Sequence, residues 1–156
     1  MRTLEHTMNL LMAIASAVAL VAVTTVLGLV VRARTGRLRR VRADTVVAHE
    51  LSGAAVLGSR ATLLQFSTEF CAPCRATHGL LQRQASAQDG VVHLDVDLTH
   101  RPELARRFNI LQTPTTFVLD GAGMIRARIG GAPRPTELAS ALDELIGESR
   151  VDTIAR

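Results

Sequence analysis

Residues 8 to 31, MNLLMAIASAVALVAVTTVLGLVV, run for 24 positions without a charged side chain. As an α-helix rising 1.5 Å per residue, such a segment is about 36 Å long, enough to cross a hydrocarbon core of about 30 Å with some tilt. It reads as a single transmembrane helix. The competing reading is a cleaved secretory signal, which the small residues of AIASAVA would suit. A signal core, however, is usually about 7–15 residues and is followed by a polar cleavage region. Here the small residues lie inside the apolar run, and the run ends in Arg.

The two flanks of this segment differ in charge. RARTGRLRRVR, residues 32 to 42, carries six Arg in eleven positions, whereas MRTLEHT before the span carries one. Positive flanks stay in the cytoplasm, so the asymmetry places the rest of the chain on the cytoplasmic side of a single-pass cell-membrane protein. The same Arg run can contact anionic lipid headgroups, each side chain contributing on the order of 1 kcal/mol near the surface. It also accounts for the high pI: the net charge of +4 divides into +6 for residues 1–42 and −2 for the remainder. Nucleic acid is therefore not an expected partner, since that would need basic charge on the folded part and planar side chains for stacking. The chain has no Trp, no Tyr and four Phe. The expected organisation is a short tail over 1–7, the helix over 8–31, an Arg-rich juxtamembrane linker over 32–44, one folded domain over 45–148 and a tail over 149–156.

Within the folded part, Thr45 to Leu51 suits a short strand or a helical turn, and ATLLQF, residues 61–66, is an apolar run of strand length. CAPCRATHGLLQRQASAQ then continues with helix formers until the Asp89–Gly90 stop. VVHLDVDL, residues 91–98, alternates as a strand does, and RPELARRF, residues 101–108, opens with Pro as a helix first turn does. TTFVLDGAGMIRARIGG holds two β-rich runs around DGAG, a hairpin signal. RPTELASALDELIGES is an amphipathic helix with Thr136 suited to the N-cap and Leu138, Ala141, Leu142 and Leu145 on one face. The order βαβα followed by ββα implies an α/β sandwich with one mixed sheet, because the first strands need helical crossovers and the last pair closes as a hairpin.

The only two cysteines, Cys71 and Cys74, fall in FCAPCR where the first strand feeds into a helix. Backbone N–H groups and the dipole at a helix N-terminus favour the thiolate of the first cysteine, so Cys71 is the expected nucleophile. Cys74, one turn further in, is the expected resolving thiol that attacks the mixed disulfide. Pro73 fits the first turn, where its missing N–H costs nothing. A zinc half-site from Cys71, Cys74 and His78 would need a fourth ligand such as His93 or His100, since there is no second cysteine pair. Haem attachment in its ordinary form is excluded, because Arg75 stands where His is required. A purely structural disulfide across so short a loop would stabilise little. The chemistry calls for no cofactor and no metal.

The stretch from about residue 60 to 147 resembles the thioredoxin superfamily. LLQFSTEFCAPC is similar to its strand leading into the active-site CxxC. LDVDLTHRPELARRFNILQTPTTFVLDGAG is similar to the following strand, helix and proline loop, with Thr113–Pro114 where the family has its cis-proline. IGGAPRPTELASALDELI is similar to the closing strand and helix. The resemblance implies a three-layer sandwich with a mixed central sheet. It also implies thiol–disulfide exchange through a redox disulfide between Cys71 and Cys74, with Pro114 packed against the pair and the Thr113 backbone able to pair with an extended substrate segment.

Implied partners are protein disulfide or thiol substrates and an electron donor such as a thioredoxin reductase or a membrane redox protein. The chain departs from the pattern in having CAPC for CGPC, Phe70 for the usual Trp, Ser67 where a second Trp is common, and Gln65 where many relatives bury an Asp. Gln cannot act as a base, which leaves water, Glu69 or His93 to deprotonate Cys74. His93 falls near the family's buried Lys, although a surface strand histidine is the simpler reading. Membrane-anchored proteins of this kind in bacteria usually face outward, so an extracytoplasmic domain is the alternative to the cytoplasmic placement. Alternative functions are a persulfide relay on Cys71 and a non-catalytic redox-sensing or docking module.

Overall fold

The structure, a computed structural model, describes residues 2–40 and 56–154. The segment suited to a strand or turn over 45–51 lies outside the described residues. The chain forms two compact units, residues 1–34 and residues 35–156.

The first unit is one helix, α1 (Arg2–Arg34), longer at both ends than the uncharged run. Its stretch Leu11–Ala33 has a mean hydropathy of 2.5 and none of it is buried by protein. The three hydroxyl side chains in this stretch are satisfied inside the helix. Ser16 donates to the Met12 carbonyl at 2.8 Å, Thr24 to that of Leu20 at 2.9 Å, and Thr25 to that of Val21 at 2.7 Å. Back-bonding of this kind leaves no hydroxyl seeking water, as a helix in hydrocarbon requires.

The second unit contains β1 (Leu38–Arg40), β2 (Ala61–Ser67), α2 (Ala72–Ser86), β3 (Val91–Asp97), α3 (Pro102–Arg107), β4 (Thr115–Asp120), β5 (Ile125–Gly130) and α4 (Pro135–Ile154). The strands form one sheet in the order β1-β5-β4-β2-β3. β2 is parallel to β3, while the β2–β4, β4–β5 and β1–β5 pairs are antiparallel. The sheet is therefore mixed. β2 is flanked by strands and covered on both faces, which is why it reads as a continuous apolar run rather than an alternating one.

Alternation along β2 divides the core. Ala61 and Leu63 face Leu81 and Ala85 of α2 and Leu138, Leu142, Leu145 and Ile146 of α4. Leu64 and Phe66 face the opposite way, toward Leu104 of α3, Phe108 and Phe117. Three layers result, with α2 and α4 on one side of the sheet and α3 on the other. The apolar face expected for the last helix is the one buried.

Three boundaries differ from the sequence reading. Leu38–Arg40, inside the stretch read as a linker, is an edge strand that pairs with Ala127–Ile129. Glu137 ties it to α4 by accepting from the Leu38 N–H at 3.2 Å and from Arg134 Nη1 at 2.8 Å, and Arg40 pairs with Glu144. The segment LRR has no alternation to announce a strand; the exposed edge of β5 supplies the reason for it to be one. α4 continues to Ile154, through most of the expected tail. Thr136 is not the cap, because Pro135 already occupies the first helical position, which its fixed φ suits.

The β4–β5 hairpin is held by its own aspartate. Asp120 accepts from the N–H groups of Ala122 and Met124 and from Arg126 Nε at 2.7 Å, and Gly123 takes the positive φ of 78° that the turn needs.

Candidate functional site

The site is built at the end of β2. The chain leaves the sheet at Ser67, and α2 begins with Cys71 in an extended conformation at its N-cap, φ −96° and ψ 94°. The cap has no side-chain acceptor and the first turn holds no acidic residue. Of the N–H groups that a Ser or Asp cap would engage, Pro73 has none and that of Cys74 donates to the Cys71 carbonyl at 3.1 Å, so what this end of the helix offers an anion is its dipole. Pro73 sits in the first turn. Cys71 is partly exposed and Cys74 is 4% exposed. Their sulfurs are joined in a disulfide, with Cα atoms 5.2 Å apart. An accessible first sulfur and a sheltered second one is the asymmetry that ordered exchange requires.

Thr68 couples this turn to a second loop. Its carbonyl accepts from the Cys71 N–H at 3.2 Å, and its hydroxyl shares a hydrogen bond of 3.3 Å with that of Thr113. The Thr113–Pro114 peptide is cis and Pro114 is buried. The Pro114 carbonyl is engaged by the Gly131 N–H at 2.7 Å. Arg128 reaches back from β5 to the carbonyls of Phe108 and Asn109, fixing the segment that leads into the proline loop. A third loop is tied in by Thr99, whose hydroxyl accepts from the Glu69 N–H at 2.9 Å. Phe70 is 92% exposed beside the cysteines, as a docking side chain would be and a core phenylalanine would not.

Gln65 is fully buried beneath α2, and its Nε2 donates to the Cys74 carbonyl at 3.0 Å. It braces the CxxC turn mechanically while supplying no base. In the β2–β3 register His93 pairs with Leu63, and Asp95 is the residue opposite Gln65. Asp95 accepts from Ser67 Oγ at 2.6 Å and lies 3.0 Å from His78 Nδ1. His78 and His93 meet edge to face, with centroids 4.7 Å apart. Cys71, Cys74, Glu69, Arg75, His78 and Asp95 line one depression of about 270 Å³, together with Ser67 and Thr68. Sequence reasoning had considered His78 only as a metal ligand and had not singled out Asp95. The four-residue spacing from Cys74 to His78 was the available signal.

His93 is not the surface residue the sequence suggests. It is half-buried, and burial first, then the neighbouring His78, lowers its pKa to about 4 against the opposing pull of Asp95. In the unfolded chain the ring takes a proton near its ordinary value of 6.5, so between 6.5 and about 4 the unfolded state binds more protons and stability falls as pH falls. Denaturation midpoints at pH 7, 5.5 and 4.5 are expected to drop across this window. The drop should be smaller in His93→Leu.

A helix-borne CxxC disulfide beside a cis-proline loop, on a mixed sheet with helices on both faces, defines a thiol–disulfide oxidoreductase site. The thioredoxin family model matches residues 46–144, and the chain belongs to the thioredoxin family. Among curated relatives, putative thioredoxin 2 of Streptomyces coelicolor is 31% identical over 88 residues, 56% of this chain and 62% of that protein. Thioredoxin of Alicyclobacillus acidocaldarius is 28% identical over 92 residues, 58% of this chain and 88% of that one. The bifunctional thioredoxin reductase/thioredoxin of Mycobacterium leprae is 33% identical over 91 residues, 56% of this chain and 19% of that protein. The chain thus spans less than two thirds of the Streptomyces protein, and α1 and β1 lie outside the residues matched by the family model.

Proposed function

We propose that this protein is a membrane-tethered thiol–disulfide oxidoreductase, with Cys71 as nucleophile and Cys74 as resolving thiol. The observation that carries this reading is the Cys71–Cys74 disulfide at an uncapped helix N-terminus, with the first sulfur accessible and the second sheltered. In the reduced protein the Cys71 thiolate attacks a substrate disulfide and displaces one substrate thiolate, leaving a mixed disulfide. Cys74 then loses its proton and attacks Cys71 Sγ, releasing the second substrate thiol and restoring the intramolecular disulfide. Pro114 lends no N–H near the sulfurs, while the Thr113 backbone and the exposed Phe70 receive the substrate chain. The substrates are disulfides of proteins near the membrane. The electron donor is a reductase, a role supported by the reductase joined to a thioredoxin in the name of the Mycobacterium leprae relative.

The tether is α1, supported by its length and apolar surface, and the Arg-rich flank that follows it contacts anionic headgroups. That flank orients the catalytic domain to the cytoplasm. Two measurements test these assignments. Purified protein supplied with a dithiol reductant should reduce a disulfide-linked peptide with multiple turnovers; an inert cysteine pair would overturn the activity. In intact cells, a membrane-impermeant maleimide should label Cys71 only after lysis, and labelling before lysis would place the domain outside.

A further inference from the structure

With Gln65 beneath the CxxC turn, the resolving thiol needs another proton acceptor, and the register of β3 brings one to the site. Asp95 stands opposite Gln65 on the neighbouring strand. Its Oδ1 is fixed by Ser67, and its Oδ2 faces His78 Nδ1 at 3.0 Å. An ionised carboxylate only accepts hydrogen bonds, so in the neutral imidazole of His78 the proton sits on Nδ1 and Nε2 carries the lone pair. His78 lies four residues after Cys74, on the same face of α2. Both members of the pair line the depression that holds the two cysteines.

We propose that the His78–Asp95 pair is the proton acceptor for Cys74 in the resolving step. The proposal rests on the oxidoreductase reading above. In the mixed disulfide, the Cys74 S–H proton passes to His78 Nε2, and Asp95 stabilises the imidazolium through Nδ1. The electron pair left on Cys74 attacks Cys71 Sγ, and the bond from Cys71 to the substrate sulfur breaks. The departing substrate thiolate takes the proton from His78. Two thiols and one substrate disulfide thereby become one intramolecular disulfide and two substrate thiols, with no other reagent.

Glu69 from the loop before α2 and Arg75 on the same helix line the depression with His78, and His93 on β3 meets its ring edge to face. His93 is neutral above about pH 4 and does not compete for Asp95. The geometry is that of a carboxylate-oriented imidazole, in which the acid sets the tautomer and the ring moves the proton.

The test uses the full-length reduced protein in detergent and 5,5′-dithiobis(2-nitrobenzoate) in rapid-mixing kinetics. The first thionitrobenzoate released reports attack by Cys71, and the second reports resolution by Cys74. His78→Gln keeps a donor toward Asp95 but cannot take the proton; it should lower the ratio of second to first release rates by about 10²-fold, the lower end of general-base contributions. The pH dependence of the second release should lose the inflection due to the pair. Asp95→Asn should lower the ratio in the same direction. Ratios within twofold of wild type in both variants, with an unchanged pH profile, would overturn the pair's role. Absence of the first release in the wild-type protein would instead overturn the oxidoreductase reading on which it rests.

Discussion

Cys74→Ser is expected to stop the reaction halfway and accumulate a covalent complex between Cys71 and its substrate. The serine hydroxyl cannot displace the substrate sulfur, so the mixed disulfide has no intramolecular exit. Cys71→Ser should remove turnover altogether, because the sheltered Cys74 has neither the exposure nor the helix-terminal position to attack first. Non-reducing gels of membranes from cells carrying each variant separate the outcomes. Cys74→Ser should give reductant-sensitive bands of higher mass, and Cys71→Ser should give none. Full turnover by Cys71→Ser would refute the assigned order of the two thiols. The same trapped complexes would identify the substrates.

The second large effect is on stability. Phe66 is fully buried, 5.5 Å from Phe108 and 5.1 Å from Phe117 between ring centroids, the latter at 71°. Phe108 and Phe117 are themselves 6.2 Å apart, so the three rings form one cluster beneath the sheet. Phe66→Ala should cost about 3–5 kcal/mol, the lost transfer free energy plus the cavity that neighbouring rings cannot fill. That is a large share of the roughly 5–15 kcal/mol holding a typical domain, and it should lower Tm by on the order of 10 °C or more. With no Trp and no Tyr in the chain, intrinsic fluorescence is a poor probe; far-UV circular dichroism in detergent, or proteolysis across a denaturant series, reports the transition. Phe70→Ala provides the contrast, since that ring is 92% exposed and its removal should change stability by less than about 0.5 kcal/mol. A comparable loss in both variants would contradict the layer assignment.

The four phenylalanines mark the limit of what can be read from a linear chain. Phe66 lies in an apolar strand and Phe70 four residues later in a loop, and neither position's burial follows from periodicity alone. Their separation by a strand end puts one in a ring cluster and the other at the mouth of the site. The apolar face of α4 was legible because Leu138, Leu142 and Leu145 recur at helical spacing and meet the sheet together. The hairpin was legible because DGAG carries its own turn chemistry: an aspartate to accept the turn N–H groups and a glycine for the positive φ.

Edge strand β1 was not legible. Three residues of an Arg-rich stretch acquire strand geometry only from the free edge of β5, a segment nearly ninety positions away in sequence. Asp95 was hidden for the same reason. Nothing local to VVHLDVD distinguishes the histidine from the two aspartates as the group beside the cysteines; the parallel register with β2 makes the choice, by setting Asp95 against Gln65. A slip of one residue would turn the carboxylate to the other face of the sheet.

Local chemistry along the chain was therefore enough to specify an apolar helix, a cysteine pair at a helix start, a hairpin and one buried helical face. Each is written in contacts between residues two to four positions apart. Strand register, the closing of the sheet by β1 and the meeting of His78 with Asp95 arise between elements far apart in sequence. Those were decided by how the layers pack, because only the packed sheet determines which side chains share a face.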